Sequence, residues 1–286
     1  MHCKPRPPDN KRMRVKETLA WGAKQLKNSP SSRLDAEVLL AFAIDADKTS
    51  LYRNPTRPIS PTKVNKYQKL IGQRALSVPV AYLTNTKEFY GLPFYVNRTV
   101  LIPRPETEAL VKLAIKIAGK KNIKKVHDVG TGSGNIAVAL AKNLPRIKVV
   151  ASDICRRALK VAERNVKSHR VNRQIELVHS PLANHIKTAK LIVANLPYVP
   201  SRYDAPKDVL HEPKKAIFAG EDGLKLYRQL FTDKFFKTFA GTCLIELGNR
   251  QAKPMKQWLA QHLPNTKITP ILGISRETCG LRIDFS

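Results

Sequence analysis

The sequence predicts an α/β chain: a doubly wound, mostly parallel, Rossmann-like sheet with a small helical domain on its N-terminal side. Three observations predict it. From Lys125 onward, short β-rich runs alternate with amphipathic runs of helix length, the pattern of a parallel sheet covered by helices. A glycine turn, Gly130-Thr131-Gly132-Ser133-Gly134, joins the first of those strands to the next helix, where such sheets hold ligands. Residues 1–77 show helical spacing and no strand pattern.

Taken in order, Val15, Leu19, Ala23 and Leu26 predict a helix within 11–28. Leu34, Val38, Leu39 and Phe42 predict a second, capped by Ser31 or Ser32. A proline-rich break runs from Asn54 to Pro61, and Val64, Tyr67, Leu70, Ile71 and Leu76 predict a third helix. At Val78 the pattern changes. V-P-V-A-Y-L and E-F-Y-G-L-P-F-Y-V predict a short hairpin that links two domains, a linker over 78–100. The domain over 101–286 then opens with a helix whose first turn holds Pro105, with Glu106 and Glu108 near its positive end. Strands are expected at K-K-V-H-D-V running into the glycine turn, at I-K-V-V-A-S-D, at I-E-L-V-H-S, at L-I-V-A and at T-C-L-I-E-L. Residues 223–239 read as one helix, residues 250–261 as the last, and residues 281–285 as a strand that closes the sheet.

Composition narrows the function classes. The chain has 286 residues, and its apolar share of 42% suffices for a packed core. No window of 18 uninterrupted apolar residues occurs, so no membrane helix is expected. The polar start, M-H-C-K-P-R-P-P, has no apolar core of a secretory signal. Cys3, Cys155, Cys243 and Cys279 lie far apart with no C-x-x-C pair, which fits a reducing cytoplasm and neither a zinc ribbon nor a disulfide framework. The formal charge is +29, distributed as +11 over residues 1–100, +13 over 101–200 and +5 over 201–286. A basic surface attracts polyanions, so ribosomal RNA is a candidate contact, though the same charge serves simple solubility.

The strongest constellation is Asp128-Val129-Gly130-Thr131-Gly132-Ser133-Gly134. Gly130 permits the tight turn, and Gly132 lets a ligand approach the backbone. Asn135 stands where a dinucleotide fingerprint has its third glycine, and no lysine follows as in a phosphate-binding P-loop. The spacing is that of class I methyltransferases, which bind S-adenosylmethionine (SAM). Asp153 ends the next strand, nineteen residues after Gly134, where a carboxylate accepts both ribose hydroxyls. The positive field around it is expected to keep it ionised.

The second constellation, Asn195-Leu196-Pro197-Tyr198, follows the apolar strand L-I-V-A. An amide or exocyclic amine nitrogen is a poor nucleophile because its lone pair is delocalised. The Asn195 side-chain oxygen and a backbone carbonyl can each accept one N–H, which turns the lone pair toward an electrophilic methyl and stabilises the developing positive charge. Tyr198 offers a flat face to a planar group. His127, His179 and His211 lack metal-ligand spacing, Cys155 lacks a partner histidine, and Trp21 and Trp258 read as packing residues.

Several longer segments decide among the families that use such a corner: R-L-D-A-E-V-L-L, P-V-A-Y-L-T-N-T-K-E-F-Y-G-L-P-F-Y-V, L-I-P-R-P-E-T-E, D-V-G-T-G-S-G, N-L-P-Y and H-E-P-K-K-A-I-F-A-G-E-D-G-L. On these the sequence resembles the release factor glutamine methyltransferases over nearly its whole length. The resemblance implies methyl transfer from SAM to the glutamine of the Gly-Gly-Gln motif in peptide-chain release factors. It implies that Asp128, Gly130, Thr131, Gly132, Ser133, Gly134, Asp153, Leu182 and Asn195 bind the cofactor. It implies that Asn195, Leu196, Pro197 and Tyr198 form the catalytic slot, that the Arg104–Glu108 segment helps close it, and that the helical domain docks the release factor.

Two positions depart from the family pattern. Leu196 replaces the first proline of N-P-P-Y, losing the fixed φ but keeping the extended bias imposed by Pro197. Pro181 stands where an acid is common, so adenine recognition must differ, with Leu182 left to pack against the ring. N-L-P-Y also occurs in adenine-N6 ribosomal RNA dimethylating enzymes. RNA adenine methylation therefore stays open as the alternative, and a non-catalytic nucleic-acid-binding relative as a third.

Overall fold

The computed structural model describes residues 13–182, 184, 186, 188–273 and 275–286. The sequence readings on residues 1–12, including Cys3 and the start of the first helix, lie outside these. The described chain forms two compact units. One gathers the chain up to Asn85 with Pro206–His211; the other gathers Thr86–Ala205 with Glu212–Ser286.

The first unit is helical: α1 (Val15–Gln25), α2 (Ser32–Ile44), α3 (Lys48–Arg53), α4 (Pro61–Ala75) and α5 (Val80–Thr84). Leu39, Leu40, Val64, Tyr67 and Ile71 pack together in its core. Ser31 is the N-cap of α2, but its hydroxyl donates to the Asp35 carboxylate at 3.0 Å and accepts no N–H of the helix backbone. Arg74 of α4 reaches the same carboxylate at 2.7 Å and ties the two helices. Two elements differ from the sequence reading. Asp47 accepts the Ser50 N–H and starts α3 just before the proline-rich break. V-P-V-A-Y-L is not a strand but α5: Pro79 opens the turn, its carbonyl accepts from Tyr82 and Leu83, and Val80 and Leu83 pack on the helical core. Tertiary packing overrides the β-propensity of its side chains.

The second unit begins with a hairpin, β1 (Thr86–Phe89) and β2 (Leu92–Tyr95), followed by α6 (Glu108–Lys120) after a single 3-10 turn at Pro105–Thr107. The sheet strands are β3 (Lys125–Val129), β4 (Lys148–Asp153), β5 (Ile175–His179), β6 (Leu191–Ala194), β7 (Thr242–Glu246), β8 (Thr266–Leu272) and β9 (Thr278–Phe285). Their order is β5-β4-β3-β6-β7-β9-β8, parallel through β7 and antiparallel at β9 and β8. Helices α7 (Asn135–Asn143), α8 (Arg156–Ser168), α9 (Lys225–Phe231) and α10 (Ala252–His262) cover it. Leu191 and Val193 face one apolar layer with α6 and α7; Ile192 and Ala194 face the other with α9 and α10. This two-residue alternation is why the strand reads as an unbroken apolar run.

Residues 223–239 are not one helix. Asp233 caps a new 3-10 turn at Lys234–Lys237, and α9 stops at Phe231. The strand expected at 281–285 starts at Thr278 and lies between β7 and β8 rather than at the edge. β8 takes the edge, where Pro270 costs no ladder bond on its free side. The alternating sheet sets the functional geometry: β3 and β6 are neighbours in register, Val129 opposite Ala194, so the turns that follow them emerge side by side.

Candidate active site

The glycine turn leaves β3 through Gly130, Gly132 and Gly134, with φ of 76°, 54° and 79°, a region that favours glycine. Beneath it Asp128 is fully buried. Its Oδ2 accepts from the Thr131 hydroxyl at 2.6 Å and from the Ala137 N–H at 3.2 Å, which ties the turn to the first turn of α7. Burial raises the Asp128 carboxyl to about 7, against those two hydrogen bonds. Ser133 is buried, its hydroxyl on the Asn135 side chain, and its carbonyl accepts from Asn165 Nδ2. Thr131 and Ser133 thus spend their side chains inside the protein and leave backbone groups for a ligand.

Asp153 closes the adjacent strand. Its Oδ2 accepts the Gly132 N–H at 2.9 Å and its Oδ1 the Cys155 N–H at 2.7 Å. Burial raises its pKa, opposed by those two bonds and by His179. Each oxygen keeps a further lone pair for a ligand hydroxyl. A Cβ built on Gly132 would meet nothing within 4 Å, so open space faces the backbone between the turn and Asp153. That cradle fits the ribose end of SAM.

The N-L-P-Y corner stands against the same turn. A Cβ on Gly130 would lie 2.8 Å from Leu196 Cδ2, so the two motifs touch. Leu196 is buried and its N–H donates to the Tyr227 hydroxyl at 3.1 Å, a bond that the family's proline lacks. Tyr227, fully buried, donates onward to the Glu246 carbonyl at 2.6 Å. Asn195 Nδ2 donates to the Thr107 hydroxyl at 2.9 Å, which leaves Oδ1 available. The Tyr198 hydroxyl donates to Glu246 Oε1 at 3.0 Å, and Gln251 Nε2 donates to the Tyr198 carbonyl at 2.7 Å. Burial pushes the Tyr198 hydroxyl well above its usual pKa. Leu182 is half-buried on the apolar layer that contains Leu196, with a φ of 39° that an L-residue adopts at a cost.

Two of the longer segments meet here as well. Arg104 and the Ile102 N–H converge on Glu212, at 2.5 and 2.9 Å, so L-I-P-R-P-E-T-E is bolted to H-E-P-K-K-A-I-F. Val199 and Phe218 form a bridge that runs the corner alongside the rest of that segment. The sequence reading missed Thr107, Gly223, Glu246 and Gln251 as individual residues. Glu246 had a signal: an acid ending an otherwise apolar strand at the ligand-binding edge of the sheet. Gln251 had none. Among the described residues no group of His, Cys, Asp and Glu can hold a metal ion, and Cys155, Cys243 and Cys279 are unpaired. No helix among them is long and apolar enough to cross a membrane.

A glycine turn beside a strand-end acid, with an N-x-P-Y corner on the neighbouring strand, defines a class I SAM-dependent methyltransferase. Comparison with known proteins agrees. Residues 17–84 match the family model described as PrmC N-terminal domain, and residues 107–216 match the methyltransferase small domain. The release factor glutamine methyltransferase of Koribacter versatilis is 36% identical over 280 residues, covering 94% of this chain and 98% of that protein. That of Dictyoglomus turgidum is 37% identical over 227 residues, covering 76% and 79%. The chain belongs to the release factor glutamine methyltransferase family. Among solved structures, the hMettl16 catalytic domain bound to a MAT2A 3′UTR hairpin aligns with a TM-score of 0.55 over 74% of this chain and 81% of that one. At 18% identity this is a likeness of fold alone.

Proposed function

We propose that this chain methylates the side-chain amide nitrogen of the glutamine in the Gly-Gly-Gln motif of release factors. The observation that carries the reading is the contact of the Asn195–Tyr198 corner with the glycine turn, because it sets a planar-amide slot beside a SAM cradle. In this reading the backbone of Gly130–Gly134 and the Asp153 carboxylate hold SAM, and Leu182 packs near its adenine. SAM supplies an electrophilic methyl group. Asn195 Oδ1 and the Leu196 carbonyl accept the two N–H groups of the glutamine amide, and the face of Tyr198 holds its plane. The amide nitrogen is thereby oriented, and positive charge developing on it is met by two oxygens. Those oxygens hold the departing proton until water takes it.

The helical domain, 1–77, is the docking element for the release factor, and the family membership of both halves of the chain supports this. The site of action is the cytoplasm, where release factors work, and the basic surface adds contact with ribosomal RNA there. The test uses labelled SAM with a release factor and its Gln-to-Ala form. Labelling of the first alone is expected; equal labelling of both refutes the reading, and labelling of RNA only refutes it in favour of the adenine alternative. Asn195→Ala should abolish turnover and keep cofactor affinity within about 2-fold, since Asn195 acts on the acceptor amide. Full activity in that variant refutes the role.

A further inference from the structure

β6 and β7 pair in parallel register up to Ala194, which lies opposite Ile245. The Thr242 N–H donates to the Lys190 carbonyl at 3.0 Å, which fixes the residues that carry the rungs. A parallel ladder repeats every two residues, so the rung beyond Ala194 falls between the Leu196 N–H and the Glu246 carbonyl. The Tyr227 hydroxyl, carried on α9, stands in that rung. It accepts from Leu196 at 3.1 Å and donates to the Glu246 carbonyl at 2.6 Å, with the Ala194 carbonyl at 3.3 Å. Leu196, Tyr227 and Glu246 are all buried, so the relay replaces a bond that water cannot supply.

A hydroxyl has one proton and two lone pairs, so it can complete both halves of the rung at once. Its bond to Leu196 fixes the plane of the Asn195–Leu196 peptide, and with it φ at Leu196. Pro197 biases ψ at Leu196 to the extended region. Those two torsions together aim the Leu196 carbonyl. A proline at 196 would fix φ through its ring and would have no N–H to satisfy. We infer that Tyr227 is a positioning residue: its hydroxyl, inserted in the β6–β7 ladder, holds φ at Leu196 in place of a ring and so aims the Leu196 carbonyl at the acceptor amide. The inference rests on the reading that this carbonyl receives the glutamine amide. Phenylalanine at 227 keeps the aromatic packing and removes the relay. The buried N–H and carbonyl are then left unpaired or close on each other, and the corner shifts in either case.

The test compares Tyr227→Phe, Leu196→Pro and the double variant in the full chain, by single-turnover methylation of a release factor with SAM. Tyr227→Phe alone is expected to lower the rate by about 10–100-fold, the cost of a displaced reacting group. Its S-adenosylhomocysteine affinity should stay within about 2-fold of wild type. In the Leu196→Pro background the ring holds φ and no N–H remains, so the same loss of hydroxyl should cost less than about 3-fold. A hydroxyl that only supports the fold costs the same in both backgrounds. Equal losses therefore overturn the inference, as does a Tyr227→Phe enzyme within about 3-fold of wild type. If Tyr227→Phe folds only together with Leu196→Pro, that rescue supports the coupling; failure to fold in both backgrounds overturns it. If Leu196→Pro is inactive, exchange of the Leu196 amide proton decides. It should be at least about 10-fold faster in folded Tyr227→Phe than in wild type, and unchanged exchange overturns the inference. A wild-type enzyme that leaves the release factor unmethylated overturns the functional reading instead.

Discussion

Replacing Gly223 with alanine tests whether the corner's position governs the chemistry. A Cβ there would lie 1.9 Å from the Tyr198 carbonyl oxygen and 2.5 Å from Gln251 Nε2. Ordinary contact needs roughly 3.5 Å, so the corner or the Gly223 segment must give by about 1.5 Å. The Tyr198 carbonyl is held by Gln251, which also donates to the Asp222 carbonyl beside Gly223, and Val199 is bridged to Phe218, so the displacement cannot be absorbed by one flexible side chain. The φ of 78° at Gly223 adds about 1–2 kcal/mol for an L-residue. A misplacement of about 1 Å can cost about 100-fold in rate, and that is the loss expected in kcat. The glycine turn is untouched, so SAM affinity should hold within about 2-fold. Single-turnover transfer to a release factor and calorimetric titration with SAM read the two quantities. A folded Gly223→Ala enzyme with kcat within about 3-fold of wild type refutes the reasoning, because it shows that the corner tolerates the shift.

Three further outcomes are expected. Asp153→Ala should weaken SAM binding by about 10-fold or more, since a charged hydrogen-bond partner is lost; calorimetry showing a change under about 2-fold refutes its role. Asp128 is harder to ionise when folded, with its carboxyl pushed up to about 7. The stability this contributes is full below about pH 4 and is lost as pH rises through about 7, because only the unfolded chain releases the proton in that window. Asp128→Asn should flatten that decline in urea denaturation measured across the window, and parallel slopes in the two proteins count against it. Asp35→Ala leaves Arg74 half-buried without its carboxylate and should destabilise the helical unit by about 3 kcal/mol in the same assay; a loss under about 0.5 kcal/mol sinks the claim that this pair ties α2 to α4.

The sequence by itself determined the alternation of strands and helices, the glycine turn, Asp153 and the N-L-P-Y corner. Each is legible because its chemistry is local: a positive φ needs glycine, and a buried parallel strand needs an unbroken apolar run. Short segments with conflicting local signals were not legible. Val80–Thr84 has strand-like side chains, yet its packing on the helical core makes it α5. T-K-I-T-P-I-L shows too weak a pattern to read, yet its pairing with β9 makes it the edge strand.

Only the tertiary structure decided how the corner is held. Thr107 reaches Asn195 across 88 residues, Gln251 reaches Tyr198 across 53, and Glu246 reaches Tyr198 across 48. No spacing rule links such positions, because they meet only after β3, β6 and β7 have aligned their carboxyl ends. A side chain's chemistry is written at its own position, whereas its partner is chosen by which strands lie next to each other in the sheet.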